Sequence, residues 1–350
     1  MSRFLTALVG LVVVLVILYY GFIFLRDSNA PQVVNAIVAT IWGVGGIAAL
    51  FTAANLLVEA LPMEWQRRIQ PYIFVGPAVL MLAWFLAIPT LRTLYQSFFS
   101  SDSQTFVGLQ NYVATFTDRQ MQLSFRNNVI WLVLGTALSV GLGLLIAVLA
   151  DRSKFETLAK ALIFMPMAIS FVGAGVIWRF IYAFAPADQP QIGLLNAFVV
   201  GFGGAPQSWI SIQPWNNLLL IVVVVWLQTG FAMVILSAAL KGVPEDILEA
   251  ARVDGATEIQ AFFRIILPYL AATIITVTTT IAIAMLKIFD VIMVMTGGQY
   301  STEVVATQFY RQFFINRNFG YGAAIAIVLF IAVMPVIFYN LRQLRKQEGF

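Results

Sequence analysis

Eight long, predominantly apolar runs with few or no charges dominate this sequence, at about 4–25, 33–58, 72–91, 127–150, 161–183, 216–240, 269–295 and 322–340. Each reaches the roughly 18 residues that a helix needs to cross a hydrocarbon core. Lipid offers the backbone no hydrogen-bond partner, so only helices or a closed barrel of strands can span it. A barrel would show alternation over segments of about ten residues, and these runs show none. The expected fold is therefore all-α, a polytopic membrane protein of about eight transmembrane helices. Only 10% of residues are charged, against about a quarter in a soluble domain. The first run exceeds the roughly 7–15-residue core of a secretory signal. Its exit, Arg26-Asp27-Ser28-Asn29-Ala30-Pro31, offers no small-x-small cleavage site, so it reads as an uncleaved anchor.

Basic residues orient the chain, because cytoplasmic loops carry the excess of Lys and Arg. With the amino terminus inside, one set of loops holds Arg3, Arg67, Arg68, Arg152, Lys154, Lys160, Lys241, Arg252, Arg264, Arg342, Arg345 and Lys346. The opposite loops are longer in total but hold only Arg26, Arg92, Arg119, Arg126, Arg311 and Arg317, and segment 184–215 has no Lys or Arg. Both termini are thus expected in the cytoplasm. Segments 92–126, 184–215 and 296–321 are expected on the other side, the longest of them as structured caps over a cavity. Compositional breaks divide the chain into an amino-terminal helix pair with its link (1–70), a six-helix core (71–340) and a cytoplasmic tail (341–350).

The sequence contains neither cysteine nor histidine. That removes thiol nucleophiles, disulfides, haem-ligating histidine and the common zinc sites. No catalytic constellation and no metal site is expected. The net charge of +4 is spread over the loops rather than clustered, which gives no signal for nucleic acid.

One cytoplasmic segment, 241–268, is polar but not slack. Pro244 suits a first helical turn, followed by Glu245 and Asp246 at the positive end of the dipole. Gly255 permits a sharp reversal, and Thr257 can cap a second helix in which Ile259, Phe262, Phe263 and Ile266 recur on one face. Periodicity alone fits two readings, a docking knob for another protein or a helix pair lying on the bilayer. The full pattern is Glu249-Ala250-Ala251, three residues, Gly255, nine residues, then Ile265, Leu267 and Pro268. This spacing resembles the ATPase-docking loop of permease subunits in bacterial ABC importers.

Residues from about 70 to 345 look like the larger permease of maltose-type or alpha-glucoside-type sugar importers. Pro71-Tyr72-Ile73-Phe74-Val75-Gly76-Pro77, Phe106-Val107-Gly108-Leu109-Gln110-Asn111-Tyr112, Phe289-Asp290 and Thr296-Gly297-Gly298 carry that likeness. Gln299 departs from it, standing where the family often has proline. The resemblance implies an ABC importer permease core with an extra amino-terminal helix pair, sited in the bacterial inner membrane. It also implies a second permease subunit, two copies of an ATP-binding subunit, an extracytoplasmic solute-binding protein and a sugar solute. Docking would occur through Glu249, Ala250, Ala251, Asp254, Gly255, Ile265, Leu267 and Pro268. No G-x-x-x-x-G-K-[ST] phosphate loop exists in this chain. ATP and Mg would therefore sit on the partner ATPase, and this chain would bind no cofactor.

Polar groups inside apolar spans are costly and mark candidate function. Lys287 and Asp290 fall three apart in the seventh span, where one helical face would let them neutralise each other or serve a solute path. They also support an alternative reading, a secondary transporter driven by an ion gradient. In the sixth span, Trp226, Gln228, Thr229 and Phe231 place amide and hydroxyl groups beside aromatic plates. That is the chemistry a sugar ring requires. Thr276, Thr278, Thr279 and Thr280 are weaker candidates, since threonine readily bonds its own helix.

Overall fold

The computed structural model describes residues 2–151 and 153–347. Among these residues the chain is helical throughout, with a single isolated β-bridge, Phe99 to Phe106. Contacts divide it into two compact units, Met1–Arg92 and Thr93–Phe350. The break in packing thus falls after the third span, whereas composition changes near residue 70.

The first unit holds α1 (Ser2–Asp27), α2 (Gln32–Glu59) and most of α3 (Met63–Gln96). Helices α1 and α2 approach closely where small residues allow it. A Cβ on Gly21 would meet Trp42 Nε1 at 2.1 Å, and one on Gly46 would meet Leu18 Cδ2 at 2.4 Å. Apolar side chains such as Ile17, Tyr20, Ile41 and Val44 face outward along both helices, as lipid-facing surfaces must. In α3 a wider π turn, Ala83–Ala87, ends two residues before Pro89. Proline lacks an N–H and clashes with the carbonyl four residues earlier, and a π turn is one way a helix absorbs that.

The second unit is built around α9 (Trp215–Leu240), with Leu220, Ile221, Val223, Val224, Leu227, Ala232, Met233 and Leu236 buried along it. Its close neighbour is α5 (Arg119–Asp151). Small residues set the spacing: a Cβ on Gly143 would meet that of Ala232 at 2.5 Å, and one on Gly230 the Ile163 carbonyl at 2.6 Å. In lipid, close backbone approach of this kind supplies much of the packing energy. Gly43, Gly45 and Gly141 meet nothing within 4 Å, so tight packing accounts for some of the intramembrane glycines and not for these.

Among the described residues six helices are long and apolar enough to cross a membrane, or up to eight if each of two bent pairs counts as one span. The fifth and seventh spans are therefore not the straight helices the hydropathy suggests. The fifth is α6 (Glu156–Ala168) and α7 (Phe171–Ile181), bent by 103°. Pro166 stands just before the bend, and Ser170 caps the new helix by accepting from Gly173 N at 3.0 Å. The seventh enters from α11 (Glu258–Tyr269), bends by 68° into α12 (Ala271–Leu286), then breaks again before α13 (Asp290–Met295). No glycine or proline marks this last break. Instead Asn128 of α5 holds it: its Nδ2 donates to Leu286 O at 3.2 Å and its Oδ1 accepts from Val305 N at 2.8 Å. A buried amide thereby satisfies the Leu286 carbonyl that the interrupted helix releases, together with the first N–H of the helix that starts at Val305.

The segments opposite the 241–268 knob are ordered caps. Asn111 donates to Ser97 O and Phe99 O at 2.9 and 2.7 Å, pinning a turn before α4 (Gln110–Thr117). Asn196, fully buried in α8 (Leu194–Gly201), bonds Ala183 O, Gln207 O, Gln207 N and the Trp209 indole, each at 2.9 Å. The chain closes with α14 (Val305–Tyr310), extended by a π turn to Ile315, and α15 (Phe319–Gln347).

Candidate functional site

The polar segment after α9 folds as two short helices meeting at a glycine. Helix α10 (Glu245–Val253) opens behind Pro244, with Glu245 and Asp246 in its first turn. It ends in a Schellman turn: Ala256 N donates to Ala251 O at 2.9 Å and Gly255 N to Arg252 O at 3.0 Å. Gly255 sits at φ +80°, a region that side chains rarely adopt. Helix α11 then starts with a reciprocal capping box, in which Thr257 Oγ1 accepts from Gln260 N and Gln260 Oε1 accepts from Thr257 N. Its π turn, Phe262–Ile266, again ends two residues before a proline, Pro268. The base of the knob is tied by Tyr269, whose hydroxyl donates to Gly242 O at 3.0 Å.

Its surface is mixed. Glu249, Ala250, Asp254, Gly255 and Pro268 are exposed, and Ile265 and Leu267 are half-buried. Ala251 is buried inside the knob, so of the two alanines only Ala250 lies on its surface. Val253, 87% exposed, and Ile259, 71% exposed, flank the glycine turn beside Arg252 and Glu258, which pair at 3.3 Å.

A polar cluster missed at the level of sequence anchors the helix ends beneath the knob. Lys160 of α6 contacts Asp151 of α5, Glu156 at 2.6 Å and the Ser237 hydroxyl of α9. Lys241 reaches the same Glu156 at 2.5 Å, and Ser237 donates to Asp151 at 2.9 Å. These residues join three helices and the entry to the knob. Only the i, i+4 pair Glu156 and Lys160 falls at a helical spacing; Asp151 is nine residues from Lys160, and the contacts of Ser237 and Lys241 are long-range.

Inside the sixth span, the four candidate residues separate. Thr229 is buried and donates its hydroxyl to Val225 O at 2.7 Å, so its proton is already used. Trp226 packs edge-to-face on Trp178 at 5.8 Å, and Phe231 packs half-buried on the core. Gln228 is half-buried, and its amide makes no hydrogen bond within the described residues. The threonines of α12 behave as their type suggests: Thr276, Thr279 and Thr280 donate to their own helix.

The expected pairing of Lys287 with Asp290 does not form. Lys287 is an exposed residue ending α12, while Asp290 begins α13. The break at 287–289 removes the common helical face, and no ion pair links the two among the described residues. Buried charge lies elsewhere. Glu303 is 5% exposed, contacts Arg311 and accepts from Gln308 Nε2 at 2.6 Å. Burial pushes its carboxyl above the ordinary range, against the pull of the Arg311 guanidinium.

Comparison with known proteins bears directly on this arrangement. The model of the family described as binding-protein-dependent transport system inner membrane component matches residues 139–347. The osmoprotective compounds uptake permease protein GgtC of Synechocystis is 52% identical over 276 residues, covering 79% of this chain and 99% of that one. The alpha-glucoside transport system permease protein AglF of Rhizobium meliloti is 44% identical over 332 residues, covering 91% and 99%. Among solved structures, a chain of a bacterial ABC transporter for import of the acidic polysaccharide alginate superposes with a TM-score of 0.70 at 21% identity. That match covers 81% of this chain and 97% of the other, and it shows the fold. The family match and these relatives give the ion-gradient alternative no support.

Lys160→Met leaves Asp151 and Glu156 facing each other without their shared cation. The expected result is a thermal-unfolding midpoint lower by roughly 2–4 °C in detergent. Lys160→Arg, or Asp151→Asn added to Lys160→Met, should recover part of the loss. An unchanged midpoint in Lys160→Met would show that the cluster adds nothing to the helix ends.

Proposed function

The chain belongs to the family of binding-protein-dependent transport system inner membrane components, and on that premise we propose how this permease subunit of an ABC importer is driven and what it carries. The knob of α10 and α11 is the coupling element, received by a groove on a separate ATP-binding subunit. Glu249, Ala250, Asp254 and Gly255 form the seated surface. Ala251, Ile265, Leu267 and Pro268 set its shape. The observation that carries this reading is its double fixation, a Schellman turn on one side of Gly255 and a capping box on the other. A lever must not bend at its own joint.

In this reading the importer contains a second permease, two copies of the ATPase bearing ATP and Mg, and an extracytoplasmic binding protein that delivers the solute. The chain lies in the bacterial inner membrane with both termini and the knob in the cytoplasm, as the Lys and Arg distribution favours. Residues 71–340 form the core shared with its relatives. Closure of the ATPase pair pulls the knob, and the Lys160 cluster passes that displacement to the ends of α5, α6 and α9. The helices then open outward to receive the solute, and hydrolysis resets them. The covalent chemistry takes place on the partner.

The cargo is a sugar of α-glucoside or disaccharide size. Two observations support it: the names of the relatives, and the free amide of Gln228 on α9, one helical turn before Phe231. Thr229 and Phe231 shape this wall, with the Thr229 oxygen still able to accept. Lys287 and Asp290, no longer a pair, each offer a polar group to the path.

Gly255→Pro is expected to insert normally but to separate ATP hydrolysis from uptake. Proline fixes φ near −65° and removes the N–H given to Arg252. Gly255→Asn, which tolerates a left-handed backbone, should retain coupling. Equal uptake per ATP in the proline variant and the wild type would contradict the lever. Gln228→Ala should raise the half-saturating solute concentration by about two- to tenfold, the worth of one hydrogen bond. Unchanged uptake kinetics would remove Gln228 from the path.

A further inference from the structure

At the end of α9 opposite the knob lies a polar cavity of about 240 Å³, lined by Arg126, Gln213, Pro214, Asn216, Asn217 and Ser301. That is many times the space a single ordered water needs. Asn217 is 6% exposed, and its Oδ1 is buried without any hydrogen-bond partner. Its Nδ2 makes one long bond, to Ser301 O at 3.3 Å. Asn216 is fully engaged by comparison, donating to Tyr300 O at 2.7 Å and accepting from Asn217 N at 2.9 Å. Arg126 is exposed, and among the described residues its guanidinium reaches only Asn127 Oδ1, at 3.4 Å.

The chemistry of the lining selects its ligand. A buried acceptor without a donor costs free energy until an O–H or N–H supplies one. A carboxylate cannot donate, and an ammonium group would face Arg126 with no acid in the lining to offset it. With the Asn217 amide turned toward the cavity, a hydroxyl group there donates to its Oδ1 and accepts from Arg126. We propose that this cavity is an entry subsite for a polyhydroxylated, uncharged solute, occupied before the solute moves along α9. Gln228 lies eleven residues further on, about 16 Å along the helix. The inference rests on the sugar-import reading and adds a second station to it.

The test uses the whole importer in proteoliposomes, with radiolabelled maltose and trehalose as probes. Asn217→Leu and Arg126→Gln should each raise the half-saturating concentration about three- to tenfold, with normal amounts of assembled complex. Asn217→Asp, which keeps an acceptor at that position, should stay closer to wild type than Asn217→Leu. A packing role alone would not produce that order. Arg126 is exposed, so its variant tests the site even if the leucine variant folds poorly. Wild-type kinetics in both variants would overturn the entry subsite while leaving the sugar reading in place. A wild-type importer that hydrolyses ATP yet takes up neither glucoside would overturn both.

Discussion

Every backbone N–H and C=O within the hydrocarbon must find a partner inside the protein, and this requirement orders the whole structure. Where the helices run unbroken they meet it themselves. Where they break, the chain supplies side chains for the purpose. Asn128 holds the interruption after α12 by bonding Leu286 O and Val305 N. Asn127 takes the carbonyls of Ser301 and Glu303, each at 2.8 Å. Asn196 does the same for the cap between α7 and α9. Buried amides of this kind suit the purpose because one side chain both donates and accepts. They make broken spans sustainable, and broken spans supply the irregular backbone that transport sites in membrane proteins use.

Helix α9 is the axis of this arrangement. Its 26 residues carry the most continuously buried face of the second unit. One end enters the knob through Lys241 and Pro244, gripped by the Lys160 cluster. The other end carries Asn216 and Asn217, bonded to the backbone of Tyr300 and Ser301. In the proposed reading, a displacement imposed at the knob acts on the same element that carries Gln228 and, at its far end, lines the cavity at Asn217. Gly143 and Gly230, which let α5 and α6 approach α9 so closely, are where that element is held most tightly.

Much of this was legible in the sequence, for identifiable reasons. Apolar length located the spans because lipid imposes a minimum run, and the Pro244, Gly255 and Thr257 signals located the knob because caps and turns are local chemistry. The bends were not legible in the hydropathy. Pro166 hinted at the bend in the fifth span, but the break at 287–289 contains neither glycine nor proline and is held by an asparagine 158 positions earlier in the chain. The same non-locality explains the lost Lys287–Asp290 pair, whose expected geometry assumed an uninterrupted helix. Gln228 and Thr229 look equivalent in the sequence, but only the structure shows that Thr229 has given its proton to Val225.

The central claim is that a rigid knob turns the work of a separate ATPase into movement of this chain, and proximity tests it most directly. The sequence contains no cysteine, so a single Val253→Cys places one thiol beside the Gly255 turn. In the assembled importer, a short bismaleimide should join that thiol to a cysteine in the groove of the ATP-binding subunit. The yield should change between nucleotide-free and ATP-bound states, and the cross-link should block uptake. Contradiction would come from a fully active importer in which Val253→Cys reacts freely with a bulky water-soluble maleimide in every nucleotide state and never cross-links to the ATPase.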